Sequence, residues 1–429
     1  MKITFIGHGY VGLVTAAVFA DFGNKVYVIG HTKEKIDNLK KGISPFYEPG
    51  LEELVKKNLK AKRLIFTLDY KPAIPESDVV FIAVGTPTTK MGDADLSTVL
   101  DVAEKIGKNL EGYTVVATKS TVPAGANKKV QRILEETKHQ GAEVDYASVP
   151  EFLREGSAIS DTINPDRIVI GTESKRAQEV LVKLHKSINA PLVLTNFETA
   201  ELIKYAANSF LALKISYANA IAKLSELIHA DALKVLEGIG MDKRIGNLFL
   251  SPGPGYGGSC FPKDVRALIS IAKDNDYAFS LLEEVEIINQ QARRDIVRKA
   301  RGILGDVRGK NIGILGLAFK ANTDDMRDAA AIDIISWLQN DGAKITAFDP
   351  KAEESAREVL PKITYADEVY SVMDGADLLI ILTEWNEFKD INFEEVKKRM
   401  KTPNIIDGRN LYDPKILREY GFNYIGVGR

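Results

Sequence analysis

The sequence predicts an α/β fold, two parallel-sheet units flanking a long central helix, and three observations predict it. Short apolar β-rich runs alternate with amphipathic stretches over residues 1–190, an unbroken helical pattern follows from Phe197, and a second alternating block opens near Arg308. Strands that are apolar on consecutive positions belong to parallel sheets covered on both faces.

In the first block the expected strands are 3–6, 25–29, 79–84, 114–117 and 168–170. Between Phe197 and Ala230 neither proline nor glycine occurs. That predicts a helix of about 30 residues, roughly 45 Å at 1.5 Å per residue, suited to a spine or a dimer interface. In the second block, Lys310-Asn311-Ile312-Gly313-Ile314-Leu315-Gly316 echoes the opening Lys2-to-Gly12 segment, and residues 344–349 echo 25–30. The expected domains are therefore 1–196 for dinucleotide binding, 197–305 as a helical dimerisation region, and 306–429 as a second nucleotide-binding unit.

Composition bounds the function. The 429 residues are 45% hydrophobic and 27% charged, with 57 Lys and Arg against 59 Asp and Glu, a net charge of −2. This excludes a basic field for nucleic acid, so an anionic ligand must be held by local groups. A single cysteine, Cys260, excludes a disulfide framework and a multi-cysteine metal site. With neither a basic leader nor an apolar run of about 18 residues, the expectation is a soluble cytoplasmic protein with no membrane segment.

Gly7-His8-Gly9-Tyr10-Val11-Gly12 lies between the first strand and a helical pattern. Its glycines allow the tight turn, the approach of pyrophosphate to backbone amides and close helix-on-strand packing. This is the Rossmann-like signature of dinucleotide binding. The acid expected about 20 residues later, for the ribose hydroxyls, is absent. The second strand ends Ile29-Gly30-His31-Thr32-Lys33, with Lys35 shortly after. His31, Thr32 and the lysines offer donors to a 2′-phosphate, so NADP stands beside NAD as the expected cofactor.

Four glycines in the run Gly253-Pro254-Gly255-Tyr256-Gly257-Gly258-Ser259-Cys260 let backbone pass close to a ligand, and Phe261-Pro262-Lys263-Asp264 starts a helix. A helix N-terminus and Lys263 both favour thiolate at Cys260. In a hydride-transfer enzyme, a nucleophilic cysteine adds to an aldehyde, and the resulting thiohemiacetal is oxidised to a thioester. Asp264 and Glu151 are candidate bases. Lys204 and Asn208, spaced i, i+4, share one helix face.

Taken together, Gly7-to-Leu13, Glu48-Pro49-Gly50-Leu51, Gly85-Thr86-Pro87, Lys119-Ser120-Thr121-Val122-Pro123, Pro150-Glu151-Phe152-Leu153-Arg154-Glu155-Gly156, Gly257-to-Asp264, Gly316-Leu317-Ala318-Phe319-Lys320 and Asp407-Gly408-Arg409-Asn410 resemble, in order, the signatures of the UDP-glucose/GDP-mannose dehydrogenase family. The resemblance covers essentially the whole chain. It implies two Rossmann-like domains joined by a long dimerising helix. It also implies oxidation of the UDP-glucose C6 alcohol to UDP-glucuronate, using two NAD or NADP and no metal.

By that resemblance Cys260 is the nucleophile, Thr121 and Asp264 hold and activate water, Lys204 and Asn208 stabilise oxyanions, and Glu151 assists proton transfer. Phe152, Leu153, Phe249, Leu250, Gly257, Phe319, Lys320 and Arg409 would hold the nucleotide sugar. Arg244 would reach the substrate of a partner subunit. Thr86, Ser120, Glu155, Lys263 and Arg327 would line the dinucleotide with the glycine loop. The chain departs from the family pattern at Gly30, Val149, Ala220 and residues 328–331. The alternatives are GDP-mannose or another UDP-hexose as substrate, a two-electron hydroxyacid or polyol dehydrogenase, and a dinucleotide-sensing regulator.

Overall fold

Val, Ile and Phe at consecutive positions build the first sheet, whose inner strands are buried along almost their whole length. In the computed structural model, which describes residues 1–87, 89 and 94–429, these strands are β1 (Lys2–Ile6), β2 (Lys25–Ile29), β3 (Leu64–Thr67), β4 (Val79–Ile82), β5 (Tyr113–Thr118), β6 (Glu143–Ser148), β7 (Ile168–Gly171) and β8 (Leu192–Thr195). They lie in the order β3-β2-β1-β4-β5-β6-β7-β8. All pair in parallel except β6 with β7, where Ser148 faces Gly171 antiparallel. The expectation of a parallel sheet thus holds up to β6 and reverses once. This sheet belongs to a unit of Met1–Ala207 with Arg266–Asn275.

The pattern from Phe197 forms one helix, Phe197–Ile228, of 32 residues. Phe210, Tyr217 and Leu224, seven residues apart, leave large apolar side chains exposed along it. Polar groups on the same helix, among them Lys204, Asn208, Ser216 and Asn219, are buried.

The second unit comprises Asn208–Val265 and Asp276–Arg429. Its sheet contains β9 (Asn311–Leu315), β10 (Lys344–Phe348), β11 (Thr364–Tyr365), β12 (Leu378–Ile381), β13 (Asn404–Asp407) and β14 (Asn423–Ile425), in the order β11-β10-β9-β12-β13-β14. All its pairs are parallel. This repeats the order of the first six strands of the first sheet, as the sequence echo implied. The echo is interrupted in the loop after β9, because the next helix begins only at Ala330. Asp349, just beyond β10, turns its buried carboxylate onto the loop between them. Its Oδ2 accepts from Leu317 N at 2.7 Å, Ala318 N at 3.0 Å and Trp385 Nε1 at 3.2 Å, while Oδ1 accepts from Lys351 N and Ala352 N, each at 2.9 Å.

Candidate active site

The loop after β1 is shaped by absent side chains. Gly7 has φ +117°, and a Cβ there would lie 2.3 Å from Ala83 O; one on Gly12 would lie 2.2 Å from Gly7 O. Both positions demand glycine. At Gly9 nothing lies within 4 Å, so this side of the loop is open. Gly9 caps the helix Tyr10–Asp21, and no side chain caps it. The first amides of that helix, at Tyr10, Val11 and Gly12, therefore face no competing side-chain acceptor, which fits a dinucleotide pyrophosphate.

Side chains crowd the position of the missing acid. A Cβ on Gly30 would lie 2.5 Å from Ile36 Cδ1 and 2.9 Å from His8 Nδ1. The rings of His8 and His31 are 5.0 Å apart. Burial, and then the charges of His31 and Lys35, lower the pKa of His8 to about 4. The end of β2 thus gathers basic groups and carries no carboxylate.

Other residues expected at the dinucleotide are engaged in holding loops together. The Tyr10 hydroxyl donates to Glu48, and burial beside that carboxylate raises its pKa. Glu48 also accepts from Gly156 N at 2.6 Å and Ala158 N at 2.8 Å, anchoring the turn that contains Glu155. Thr86 donates to Thr121 O at 2.8 Å, and Ser120 to Val84 O at 2.7 Å, joining the loops after β4 and β5.

Beyond β6 stands a buried ion pair. Glu151 Oε1 accepts from Lys204 Nζ at 3.1 Å and Oε2 from Leu153 N at 2.6 Å; Glu151 is 6% exposed and Lys204 2%. Losing one partner of such a pair strands a charge, at a cost of about 3–5 kcal/mol. The Phe152 ring lies 5.3 Å from the Lys204 ammonium and 3.5 Å from the Arg167 guanidinium. One of the two sets of expected catalytic residues is therefore assembled inside the first unit.

The second set lies in the other unit. Cys260 is partly exposed and directly precedes the helix Phe261–Asp274, whose Asp264 N donates to Cys260 O at 2.8 Å. Asp264, 0% exposed, accepts from Asn208 Nδ2 at 2.6 Å and Lys263 Nζ at 2.5 Å. A buried carboxylate one helical turn from a thiol, fixed by two donors, is placed to act as a base.

The loop before Cys260 lies against two of the expected substrate residues. A Cβ on Gly258 would meet the Phe319 ring at 2.8 Å, and one on Gly253 would meet Gly408 O at 3.1 Å and Arg409 Nη1 at 3.5 Å. Arg409 donates to Leu382 O at 2.7 Å and Phe319 O at 2.9 Å, and Lys320 Nζ stands 5.6 Å from the Phe319 ring. Leu250 is buried, whereas Phe249 has a left-handed backbone, φ +64°. Arg327 pairs with Asp325 at the surface and accepts from Gly258 N through its carbonyl. Arg244, its side chain 89% exposed, pairs with Asp242.

Four supporting residues had no assigned role in the sequence reading. Glu48 is one. Asn219 accepts from Gly253 N at 2.8 Å, Asn289 brackets Tyr256 through N at 2.7 Å and O at 3.1 Å, and Arg293 donates to Tyr256 O at 2.7 Å and Asp328 O at 2.9 Å. All are buried polar groups on otherwise apolar helix faces or turns, a weak signal that was available. No cluster of three or more metal-ligating side chains occurs among the described residues. Nor, among them, is any helix long and apolar enough to cross a membrane.

Profiles of the UDP-glucose/GDP-mannose dehydrogenase family match at the NAD binding domain over residues 1–189, the central domain over 198–291 and the UDP binding domain over 313–414. The chain is 48% identical over 429 residues to UDP-glucose 6-dehydrogenase TuaD of Bacillus subtilis (strain 168), covering 100% of this chain and 93% of that protein. It is 49% identical over 436 residues to the UDP-glucose 6-dehydrogenase of Rhizobium meliloti (strain 1021), covering 100% of both. The solved UDP-glucose dehydrogenase of the hyperthermophilic archaeon Pyrobaculum islandicum matches with a TM-score of 0.93 at 38% identity, over 100% of this chain and 97% of that one.

Because the space beside Gly9 is open, Gly9→Val should fold with little loss of stability, about 1 kcal/mol for the poorer cap. It should nevertheless weaken NADH binding by roughly tenfold or more, by filling the approach to the helix amides. Fluorescence titration alongside a melting curve checks this; unchanged affinity would place the pyrophosphate elsewhere.

Proposed function

This chain belongs to the UDP-glucose/GDP-mannose dehydrogenase family, and on that premise we propose how its residues divide the work of the reaction. The protein is an oxidoreductase that oxidises UDP-glucose with NAD. Bound NAD supplies the hydride acceptor, two molecules for each carboxylate formed.

The C6 alcohol first loses a hydride and a proton, giving the aldehyde. The Cys260 thiolate then adds to the aldehyde carbon, forming a C–S bond, and the former carbonyl oxygen takes a proton. The thiohemiacetal loses a second hydride and a proton to become a thioester. Asp264 takes a proton from water as its oxygen adds, the C–S bond breaks, and UDP-glucuronate leaves with Cys260 regenerated. The Lys204 ammonium and the Asn208 amide, one turn apart on one helix, serve as donors to the oxyanions; Thr121 helps hold the water and Glu151 assists proton transfer. The observation that carries this reading is the wholly buried Asp264, fixed between Asn208 and Lys263 one turn beyond the thiol.

Two finer assignments go with it. NADP is accepted alongside NAD; His31 and Lys35 beside Gly30 support this, because basic groups stand where a carboxylate would repel a 2′-phosphate. The protein works in the cytoplasm as a homodimer built by residues 197–305, with Arg244 reaching the partner's substrate. The exposed apolar row of Phe210, Tyr217 and Leu224 supports that surface.

Incubation with UDP-glucose and NAD should give UDP-glucuronate by mass spectrometry and two NADH per sugar. In Cys260→Ser, acid formation should fall by about 10³-fold or more, since an unactivated hydroxyl is a weak nucleophile near neutral pH; acid production at the parent rate would sink the covalent route. Steady-state kcat/KM with NADP should lie within about tenfold of that with NAD, a discrimination of about 1.4 kcal/mol. A preference for NAD of a hundredfold or more would remove the NADP assignment. Sedimentation velocity should give twice the chain mass, reduced to one in a Phe210→Lys, Tyr217→Lys double variant. A monomeric parent would refute the dimer.

A further inference from the structure

Lys119 has no part in the chemistry above, yet it is a lysine taken out of water. It follows β5 directly and is 7% exposed. Its ammonium lies 3.4 Å from Val149 O and 5.7 Å from the centre of the Phe81 ring. One long hydrogen bond and a ring are weak compensation for losing the hydration of an ammonium. Packing alone would be served better by an apolar side chain of similar volume.

The sheet register places this group. Thr118 pairs with Ser148 where β5 meets β6, so residue 119 arrives beside residue 149, two before Glu151. Glu151 in turn accepts from Lys204. Two buried cations therefore lie within Coulomb range of one buried carboxylate. The other titratable neighbour is His185, buried against Leu181 O at 2.8 Å; burial, with the Lys119 charge adding to it, lowers its pKa to about 4, so it is neutral near pH 7.

Resting on the reading that Glu151 and Lys204 serve the reaction, we infer that Lys119 is a positioning residue. Its grip on the Val149 carbonyl fixes the strand end that presents Glu151, and its charge adds to the field at the Lys204–Glu151 pair. Burial lowers the pKa of Lys119 to about 8, with Glu151 opposing that shift and Lys204 adding to it. Below that pH its positive charge adds to the field at the ion pair; above it, the influence fades.

Lys119→Met removes this charge with little change in volume. Losing a cation beside the ion pair should move the pH profile of kcat upward by about half a unit or more. The KM for UDP-glucose should stay within about twofold, and Lys119→Arg should restore the parent profile. A folded Lys119→Met with the parent profile overturns the inference. Glu151→Gln and Lys204→Met are measured in parallel. If these two keep the parent kcat, the assignment of the pair has failed and the inference falls with it; if they collapse while Lys119→Met does not shift, the positioning role alone has failed.

Stability gives a readout independent of turnover. Folded Lys119 releases its proton near pH 8 and the unfolded residue near 10.5. The unfolded chain therefore binds the extra proton between those values, and this residue's contribution to stability rises with pH across that window. The melting-temperature advantage of Lys119→Met over the parent should shrink from pH 8 to 10.5; an advantage independent of pH overturns the inference.

Discussion

Every carboxylate carried into the interior of this molecule must be met by donors, and the arrangement of its functional groups follows from that requirement. The net charge of −2 supplies no general field, so the compensation is local. Glu48 is met by the Tyr10 hydroxyl and two backbone amides, Glu151 by Lys204 and an amide, Asp264 by an amide side chain and an ammonium. Asp407 is met by Arg409 N, Tyr412 N and the Tyr424 hydroxyl, and burial still raises its pKa. Fixing the donors fixes the loops that carry them. The same bonds that hold the fold therefore orient the groups proposed to handle protons.

Backbone approach is the second requirement, and it is met differently in the two units. After β1 the chain leaves space at Gly9 and closes it at Gly7 and Gly12, which suits an anion resting on amides. Before Cys260 the glycines bring backbone against Phe319 and Arg409, and buried Asn219, Asn289 and Arg293 tie that backbone down. A loop so rich in glycine would otherwise be mobile; here its polar tethers come from helices rather than from within itself.

Much of this was legible in the sequence where a local rule decides the outcome. Strands of consecutive Val and Ile, the long helix free of proline and glycine, and the glycine loop between strand and helix each announce themselves over a few residues. β6 does not, because Glu143-Val144-Asp145-Tyr146-Ala147-Ser148 reads as polar, and β8 is a short exposed edge. The absence of an acid at Gly30 was visible, but the crowding around it was not. Ile36 and His8 fill that space only once the fold brings them there. Lys119 was visible as part of a motif, but its burial beside Glu151 depends on the pairing of β5 with β6.

The carboxylate of Asp349 changes what the second sheet can bind. It occupies the amides of Leu317 and Ala318 from the end of β10, where the first sheet has Gly30 at the end of β2 and no carboxylate. With an NAD binding domain matched in the first unit and a UDP binding domain in the second, one dinucleotide site serves each chain. Two hydrides must leave a single sugar through it, so the first reduced cofactor has to depart and a fresh one arrive while the substrate is still half oxidised. An aldehyde held only by weak contacts would be lost during that exchange; the proposed tether through the Cys260 sulfur would keep the sugar waiting for it.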